Sequence, residues 1–222
     1  MSGKVGTGVP QPLKLQAYAI LLERILDGRL GPGARLNRRG TALELGMSAA
    51  PVHEAMLQLE ADGLLEALPR VGTRVRTVTH EEVRGHLILR EALECQAARM
   101  ICGGPVRQAL PRLMSLAEAV DAPDNSTHAR ARHEVAFHVA LVELAACAVL
   151  TREYRRVMQI GLFYRINHVV ESAPRALQIL HSDLLTSLCR HTPARAEAAV
   201  RSHIWSGKPG LSRTPQTKEP AT

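Results

Sequence analysis

The stretch ALELGMSAAPVHEAM, residues 42–56, contains the signals that end one helix and begin another within a few residues. Gly46 is a natural C-terminal stop, because glycine adopts the left-handed conformation found there at little cost. Ser48 is a good N-cap for the next helix, and Pro51 is tolerated in its first turn. That helix is expected to stop at Gly63. The pattern predicts two helices joined by a tight turn.

The flanking sequence predicts a further helix and a hairpin around this pair. Apolar residues at helical spacing indicate a helix from Leu13 to Leu26. Residues 64–76, LLEALPRVGTRVR, are typical of two short strands around a Pro/Gly turn. Residues 12–78 therefore have the order helix, helix, tight turn, helix, hairpin. This is the order of a winged helix-turn-helix.

Residues 79–206 are helical by pattern and predict a second, all-α domain. Thr79 opens it with a capping box, because Glu82 follows three residues later. Breaks at 103–105, 122–125, 173–174 and 192–193 divide the segment into five or six helices. The tails, 1–11 and 207–222, are rich in Gly, Pro and polar residues and are expected to be disordered.

Composition narrows the class of protein. The 222 residues are 45% hydrophobic and 3% aromatic, which favours packed helices. A formal charge of +7 suits a polyanionic partner. The four scattered cysteines fit neither a disulfide frame nor a zinc cluster. Because no signal-peptide core and no membrane-spanning stretch is present either, the expected location is cytoplasmic.

Several segments resemble one family, the GntR-type transcriptional regulators, in the FadR subfamily that carries an all-helical FCD ligand-binding domain. The first domain resembles it in ILDGRLGPGARLN, ALELGMSAAPVHEAM and LEADGLLEALPRVGTRV. The second resembles it in LREALECQAARM, FHVALVELAAC and the pairing of HSDLL with AVRSHI. The order and spacing of these segments make the resemblance specific. It implies a homodimer that binds double-stranded operator DNA and a small effector.

The helix expected to enter the DNA major groove departs from the family pattern. Such a helix usually offers Arg, Lys, Asn or Gln to base edges. Residues 49–62 contain three acidic residues and neither Lys nor Arg. The family usually has Arg where this sequence has Ala49 and His53. The sequence therefore predicts DNA binding but leaves open whether this helix reads the base sequence.

Basic residues on either side of that helix are suited to phosphate contacts, which position a domain without specifying sequence. By resemblance, Arg39 occupies a position used for DNA contact and Gly72 is the glycine at the tip of the wing. The alternative is that these arginines simply form a solvated face. The residues predicted to contact DNA are Arg35, Arg38, Arg39, Ser48, His53, Arg70, Gly72 and Arg74.

The stretch HEVAFH, residues 133–138, indicates part of a metal site. Its Glu134 and His138 lie four residues apart and so share one helix face. By resemblance, the ligands of metal-binding FCD domains correspond here to Glu134, His138, His181 and His203, although the family usually has Asp at the first position. Three neutral imidazoles and a carboxylate suit a divalent ion such as Zn, with Ni, Mn and Fe as alternatives.

An effector site beside the metal is implied by the same resemblance. Arg90 in LREALE matches a family arginine that often faces the cavity, where a guanidinium can clamp a small carboxylate. Its alternative role is an ion pair with Glu94 at i, i+4. Arg165 and Asn167 in FYRINH are further candidates for the same pocket.

These patterns predict a ligand-responsive regulator, most relatives of which are repressors. One alternative is a sensing module that has lost DNA readout and acts through a partner protein, an idea that the acidic helix favours. Another is a metal-dependent enzyme. The chain contains no HExxH, no GxSxG and no Gly-rich phosphate loop, so we expect it not to be an enzyme.

Overall fold

The computed structural model describes residues 11–123, 127–166, 178–208 and 211, without the side chains of 127, 128 and 164–166. Most of both tails, and the break predicted at 173–174, lie outside these residues. The described residues form two compact units that divide between Thr77 and Val78. The first is a helical unit with a small sheet and the second is all helical, so the predicted fold class is confirmed.

The first unit is a winged helix-turn-helix. Three helices are followed by a hairpin, and a two-residue strand completes an antiparallel sheet of order β1-β3-β2. Arg35 pairs with Arg74, and Glu66 pairs with the same residue from the other side. The elements are α1 (Leu13–Leu26), β1 (Arg35–Leu36), α2 (Arg38–Leu45), α3 (Ala49–Ala61), β2 (Leu65–Leu68) and β3 (Gly72–Val75).

Local chemistry fixes the turns of this unit. The side chain of Asn37 caps α2 by accepting a hydrogen bond from the backbone N–H of Gly40 at 2.7 Å. Gly46 ends α2 with φ +62°, as the sequence predicted. Gly72 has φ +120°, and a Cβ there would approach the backbone oxygen of Leu36 to 3.1 Å. Glycine is therefore required where the hairpin enters β3.

The core of the first unit lies between α1 and α3. Each helix turns one apolar face inward, and the strands β2 and β3 cover the end of this layer. The fully buried side chains of this core are Ala17, Leu21, Ile25, Val52, Met56, Leu59, Leu64, Leu65 and Val75.

The second unit packs seven described helices around a common core. Helix α4 has the predicted capping box between Thr79 and Glu82 and packs along α10, α8 and α7. None of the described helices combines the length and hydropathy needed to cross a membrane. The helices are α4 (His80–Ile101), α5 (Gly104–Gln108), α6 (Leu110–Asp121), α7 (Thr127–Glu143), α8 (Ala148–Ile166), α9 (His181–Arg190) and α10 (Pro193–Ser206).

Two helix breaks in this unit were not predicted, so the expected number of helices was too low. Helices α5 and α6 meet at Ala109, and α7 and α8 are separated by a turn in which Ala146 has φ +50°. Pro111 lies in the first turn of α6, so the first break has a local signal that sequence reasoning missed. The turn at Ala146 contains neither glycine nor proline, so the sequence carries no local signal there and packing in the folded unit decides where α7 ends.

Candidate metal centre and nucleic-acid interface

The arginines predicted to contact DNA are mostly free on the surface of the first unit. Arg35, Arg38, Arg39 and Arg70 are exposed. Their side chains make no hydrogen bond or ion pair with any residue that the structure describes. Free guanidinium groups on a surface can turn toward phosphates without first breaking an internal contact.

Arg74 differs from these four arginines. Its Nε donates to the Oε1 atom of Glu66 at 2.8 Å, across the β2–β3 pair. The two side chains are 40% and 35% exposed. A phosphate contact by Arg74 would therefore compete with an existing ion pair.

The acidic residues of α3 are mostly used inside the unit. Glu60 accepts a hydrogen bond from the hydroxyl of Thr73 on β3 at 3.0 Å. Asp62, at the end of α3, accepts hydrogen bonds from the hydroxyl of Tyr18 at 2.7 Å and from the amide of Gln58 at 3.1 Å. These two carboxylates tie α3 to the wing and to α1. These contacts explain why α3 carries acidic residues at these two positions.

The start of α3 and the wing tip carry the other predicted contacts. Ser48 precedes α3, is exposed, and makes no side-chain capping hydrogen bond. His53 is half-buried one turn into the helix. Arg70 lies between β2 and β3 with φ +65°, a backbone conformation that non-glycine residues rarely adopt and that costs about 1–2 kcal/mol. The fold thus keeps a strained arginine at the tip of the wing, next to Gly72.

Three of the four predicted metal ligands meet inside the second unit. His138 on α7, His181 at the start of α9 and His203 on α10 are all buried, with exposed fractions of 0%, 7% and 7%. One nitrogen from each imidazole lies within 4.8 Å of the others. The ring centroids are 4.6–5.2 Å apart. The side chain of Phe137 covers the rings of His138 and His181 from one side.

Carboxylates determine which nitrogen of two of these imidazoles carries the proton. The Nδ1 atom of His138 lies 2.5 Å from the Oε1 atom of Glu94, and Nδ1 of His181 lies 2.8 Å from the Oδ1 atom of Asp121. An ionised carboxylate only accepts hydrogen bonds, so each Nδ1 must be the donor. In the neutral rings the Nε2 atoms of His138 and His181 then carry lone pairs.

The same surroundings keep the imidazoles neutral. Burial lowers the pKa of His138 to about 3, although the negative charge of Glu94 opposes this. Burial also lowers the pKa of His181, although its hydrogen bond to Asp121 opposes this, and burial holds the pKa of His203 well below its ordinary value. Burial works against ionisation of Asp121, but its hydrogen bond with His181 brings its pKa down to about 2. Neutral imidazole is the form that binds a metal ion.

The cluster fits a divalent metal ion on two observations. The Nε2 atom of His181 is buried and has no hydrogen-bond partner among the described residues. The Nε2 atoms of His138 and His203 are 3.4 Å apart. Two nitrogens bound to one tetrahedral zinc at ~2.0–2.1 Å would be separated by roughly the same distance. Buried lone pairs that face one another need a cation or a proton between them.

Glu134, the fourth predicted ligand, has a different partner in the structure. Its Oε1 atom accepts a hydrogen bond from the Nη1 atom of Arg90 at 3.2 Å. The group of side chains close enough to share an ion consists, in the described part of the chain, of the three histidines alone. Glu134 lines the cavity next to them, so its role as a ligand stays a prediction.

The cavity beside the histidines has a volume of about 90 Å³. Its lining residues are apolar apart from a polar set. This set consists of His86, Arg90, Arg130, Glu134, Gln178, His181, His203, Ser206 and Lys208. Arg90 also donates from Nε to the Oε2 atom of Glu94 at 3.1 Å, which is the ion pair that the sequence offered as an alternative. The side chain of Arg165 and all of Asn167 lie outside the described residues.

Sequence reasoning missed several polar residues of this site, and three of them have the most informative contacts. Glu94 and Asp121 hold His138 and His181, and Arg130 lines the cavity with a buried Nε atom that has no partner among the described residues. Arg130 precedes Glu134 by one helical turn, a spacing that could have flagged it. The other two contacts join residues 44 and 60 positions apart, and spacing along one helix cannot reveal them.

Two family models match the chain. The model described as bacterial regulatory proteins, gntR family, matches residues 13–75. The model described as FCD domain matches residues 87–205. The two matches fall on either side of the division between the compact units.

Similar proteins cover nearly the same length. The HTH-type transcriptional repressor RspR of Escherichia coli K12 is 25% identical over 201 residues, which cover 87% of this chain and 86% of RspR. A probable D-xylose utilization operon transcriptional repressor of Paenarthrobacter nicotinovorans is 28% identical over 206 residues, or 90% and 88% of the two chains. The crystal structure of a regulator from Rhodococcus sp. RHA1 shares the fold, with a TM-score of 0.69, 20% identity, and coverage of 86% and 93%.

Proposed function

The chain belongs to the GntR family of bacterial regulatory proteins with an FCD domain, and from this premise we propose that it is a metal-dependent, ligand-responsive repressor. As a member of that family it is a DNA-binding transcriptional regulator rather than an enzyme. The proposal adds the direction of regulation, the metal and the class of effector. The observation that carries it is the buried cluster of three neutral imidazoles beside a cavity.

The DNA-binding part of the proposal rests on the surface of the first unit. Arg38 and Arg39 at the start of α2, and Arg70 at the wing, supply free positive charges on both sides of α3. Ser48 and His53 are the side chains through which α3 would reach base edges. A homodimer would bring two such units to an operator with two half-sites. Repression is proposed because two of the similar proteins are described as repressors.

The metal-binding part rests on His138, His181 and His203. Three imidazoles leave a coordination position open, which an effector carboxylate or water can take. A bound divalent ion would supply a positive centre for an anionic ligand. Zn is the first choice for three nitrogen ligands, and Ni, Mn and Fe are alternatives. Glu134 becomes available as a fourth ligand only if it leaves Arg90.

A small organic acid is the proposed effector class. Cavity walls of apolar side chains favour a compact carbon skeleton, and the positive groups that face the cavity favour a carboxylate. Because Arg90 already pairs with Glu94 and Glu134, an acid bound to Arg90 would have to displace Glu134. Arg165 and Asn167 remain candidates from the family resemblance alone.

The alternative is a sensing module that acts through a partner protein instead of DNA. The absence of Lys and Arg from α3 favours it. However, Glu60 and Asp62 are held by contacts within the first unit, which leaves Glu54 as the exposed acidic side chain on the helix, near Lys14 at 3.8 Å. The acidity of α3 is thus a weaker argument for this alternative than the sequence alone suggested.

Binding to the chain's own upstream DNA separates the two functions. The full-length protein, titrated onto that DNA in a mobility-shift assay at several salt concentrations, should bind with an affinity that falls steeply as salt increases. A repressor should also lower expression of a reporter placed behind that DNA. If the protein fails to bind even at low salt, the regulator acts through a partner and the repressor proposal is wrong.

Elemental analysis of the purified protein tests the metal site. We expect close to one divalent ion per chain in the wild type and none in His138→Ala or His181→Ala. His133→Ala is the matched control, because His133 lies on the same helix and its Nδ1 lies 3.0 Å from the backbone oxygen of Ala119. An equal metal content in all four proteins would remove the site. A separate measurement tests the effector class: the melting temperature of the protein is compared with and without each of a panel of small carboxylates, in the presence and absence of zinc.

A further inference from the structure

Glu94 is the most enclosed charged group of the second unit and has no part in the family resemblance to a metal site. It is 0% exposed. Its Oε2 atom accepts hydrogen bonds from the Nε atom of Arg90 at 3.1 Å and from the hydroxyl of Tyr154 at 2.5 Å. Its Oε1 atom faces only the Nδ1 atom of His138 among the contacts described above. One carboxylate therefore links α4, α7 and α8.

The two donors on Oε2 decide what Glu94 can do for His138. With Arg90 and Tyr154 both donating, the carboxylate is ionised and held in one orientation, and Oε1 is left as an acceptor. His138 must then keep its proton on Nδ1. Its Nε2 lone pair is in consequence turned toward His181 and His203 before any ion arrives.

Asp121 does the same for His181 from another helix. As the last residue of α6, it also accepts hydrogen bonds from the backbone N–H groups of His181 at 3.3 Å and Ser182 at 3.2 Å, which begin α9. These N–H groups have no partner within α9, so the carboxylate is fixed at the helix N-terminus while it orients the ring. His203 has no such acceptor at Nδ1 among the described residues.

We propose that Glu94 and Asp121 are the positioning residues of the metal site, each locking one imidazole in the tautomer that presents Nε2 to the ion. The proposal rests on the proposed metal site. The three histidines differ in this respect. The tautomers of His138 and His181 are fixed before an ion binds, whereas that of His203 changes when the ion binds. Without metal, His203 donates from Nε2 to the lone pair of His138 at 3.4 Å. With metal, its proton must move to Nδ1.

The arrangement also connects the metal site with the cavity. Arg90 donates to Glu94 through Nε and to Glu134 through Nη1, so one guanidinium bridges a positioning residue and a cavity residue. A ligand that draws Glu134 away from Arg90 changes the charge balance next to Glu94. Helix α4, which carries both Arg90 and Glu94, starts at His80, close in sequence to the first unit.

Glu94→Gln is the sharpest test of this role. A glutamine can present its oxygen to His138 only by turning its NH₂ group toward the donors of Arg90 and Tyr154. In the opposite orientation the NH₂ group faces Nδ1 and forces the proton onto Nε2, where it blocks the metal. We therefore expect zinc affinity, measured by chelator competition, to fall roughly 10- to 100-fold.

A second readout separates positioning from stability. Nitrogen-15 NMR of histidine-labelled, metal-free protein reports the tautomer of each ring. In the wild type His138 and His181 should be Nδ1–H tautomers, and Glu94→Gln should change the spectrum of His138. Asp121→Asn should change that of His181 and weaken zinc binding to a similar extent. Glu118→Gln, an exposed carboxylate on α6, is the control and should change neither.

The outcomes separate this inference from the proposed function. A wild-type protein that takes up none of zinc, nickel, manganese and iron contradicts the metal proposal. The tautomers of the metal-free protein then decide by themselves whether Glu94 and Asp121 fix the rings of His138 and His181. Folded Glu94→Gln with zinc affinity within about twofold of the wild type, and with the His138 signal unchanged, overturns the inference. Should Glu94→Gln fail to fold, the same two measurements on Asp121→Asn decide it.

Discussion

The two candidate sites of the chain differ in what holds their functional side chains. Arg38, Arg39 and Arg70 are exposed on the first unit, and their side chains make no hydrogen bond or ion pair with the described residues. In the second unit, His138 and His181 are buried and each is oriented by a carboxylate. A surface that binds a polyanion can take its geometry from the partner. A buried site must have its geometry, tautomers and charge settled within the protein.

The largest predicted effect is the difference in stability between two variants, one that removes a buried carboxylate and one that removes a half-exposed carboxylate. Glu94→Ala should lower the free energy of unfolding of the metal-free protein by about 3–5 kcal/mol, because Arg90, His138 and Tyr154 lose a buried acceptor. Glu66→Ala, which breaks the half-exposed pair with Arg74, should cost less than about 1 kcal/mol. Urea denaturation followed by circular dichroism measures both. Equal losses would show that the buried network contributes no more than a surface ion pair.

Removing the metal should affect only the second unit. An ion present at 100 times its dissociation constant stabilises the unit that binds it by about 2.7 kcal/mol. Treatment with a chelator should therefore lower the melting transition of the helical unit and leave that of the winged unit unchanged. Calorimetry of the wild type and His181→Ala measures this. A chelator effect of the same size in His181→Ala would place the ion elsewhere.

Much of the fold could be predicted because its signals are local. The bounds of α1 and α2 follow from apolar spacing and from Gly46, and the capping box at Thr79 marks the start of α4. The turn at Ala146 could not be predicted, because alanine has no preference for a positive φ. That conformation is imposed by the packing of α7 and α8 on their neighbours.

For the candidate metal site, only the ligands could be predicted, and they were predicted from the family resemblance. His138, His181 and His203 lie far apart in sequence, and the structure brings them together at the meeting point of α7, α9 and α10. Glu94 looked like one half of a helical ion pair with Arg90, which it is. Its second role depends on His138, 44 residues away, and so becomes visible only in the folded unit.

A smaller effect is expected for the free arginines of the first unit. Arg39→Ala should weaken DNA binding roughly three- to fivefold near physiological salt and reduce the slope of log affinity against log salt by about 1, as for one lost phosphate contact. Stability should change by less than about 0.5 kcal/mol, since the side chain has no internal partner. Arg74→Ala is the matched comparison. A larger loss of affinity for Arg74→Ala would mean that DNA draws Arg74 away from Glu66.

The smallest predicted effect on stability concerns Arg70, the residue of the exposed site that has a strained backbone. Arg70 has φ +65°, so Arg70→Gly should raise the free energy of unfolding, by less than about 1 kcal/mol because glycine also gains freedom in the unfolded chain. Arg70→Ala keeps the strain and should not share that gain. Both variants lose the same charge, so both should weaken DNA binding to the same extent. If Arg70→Gly binds DNA clearly less well than Arg70→Ala, the backbone conformation of the wing tip is itself part of the interface. The exposed site would then be preorganised in the same sense as the buried one.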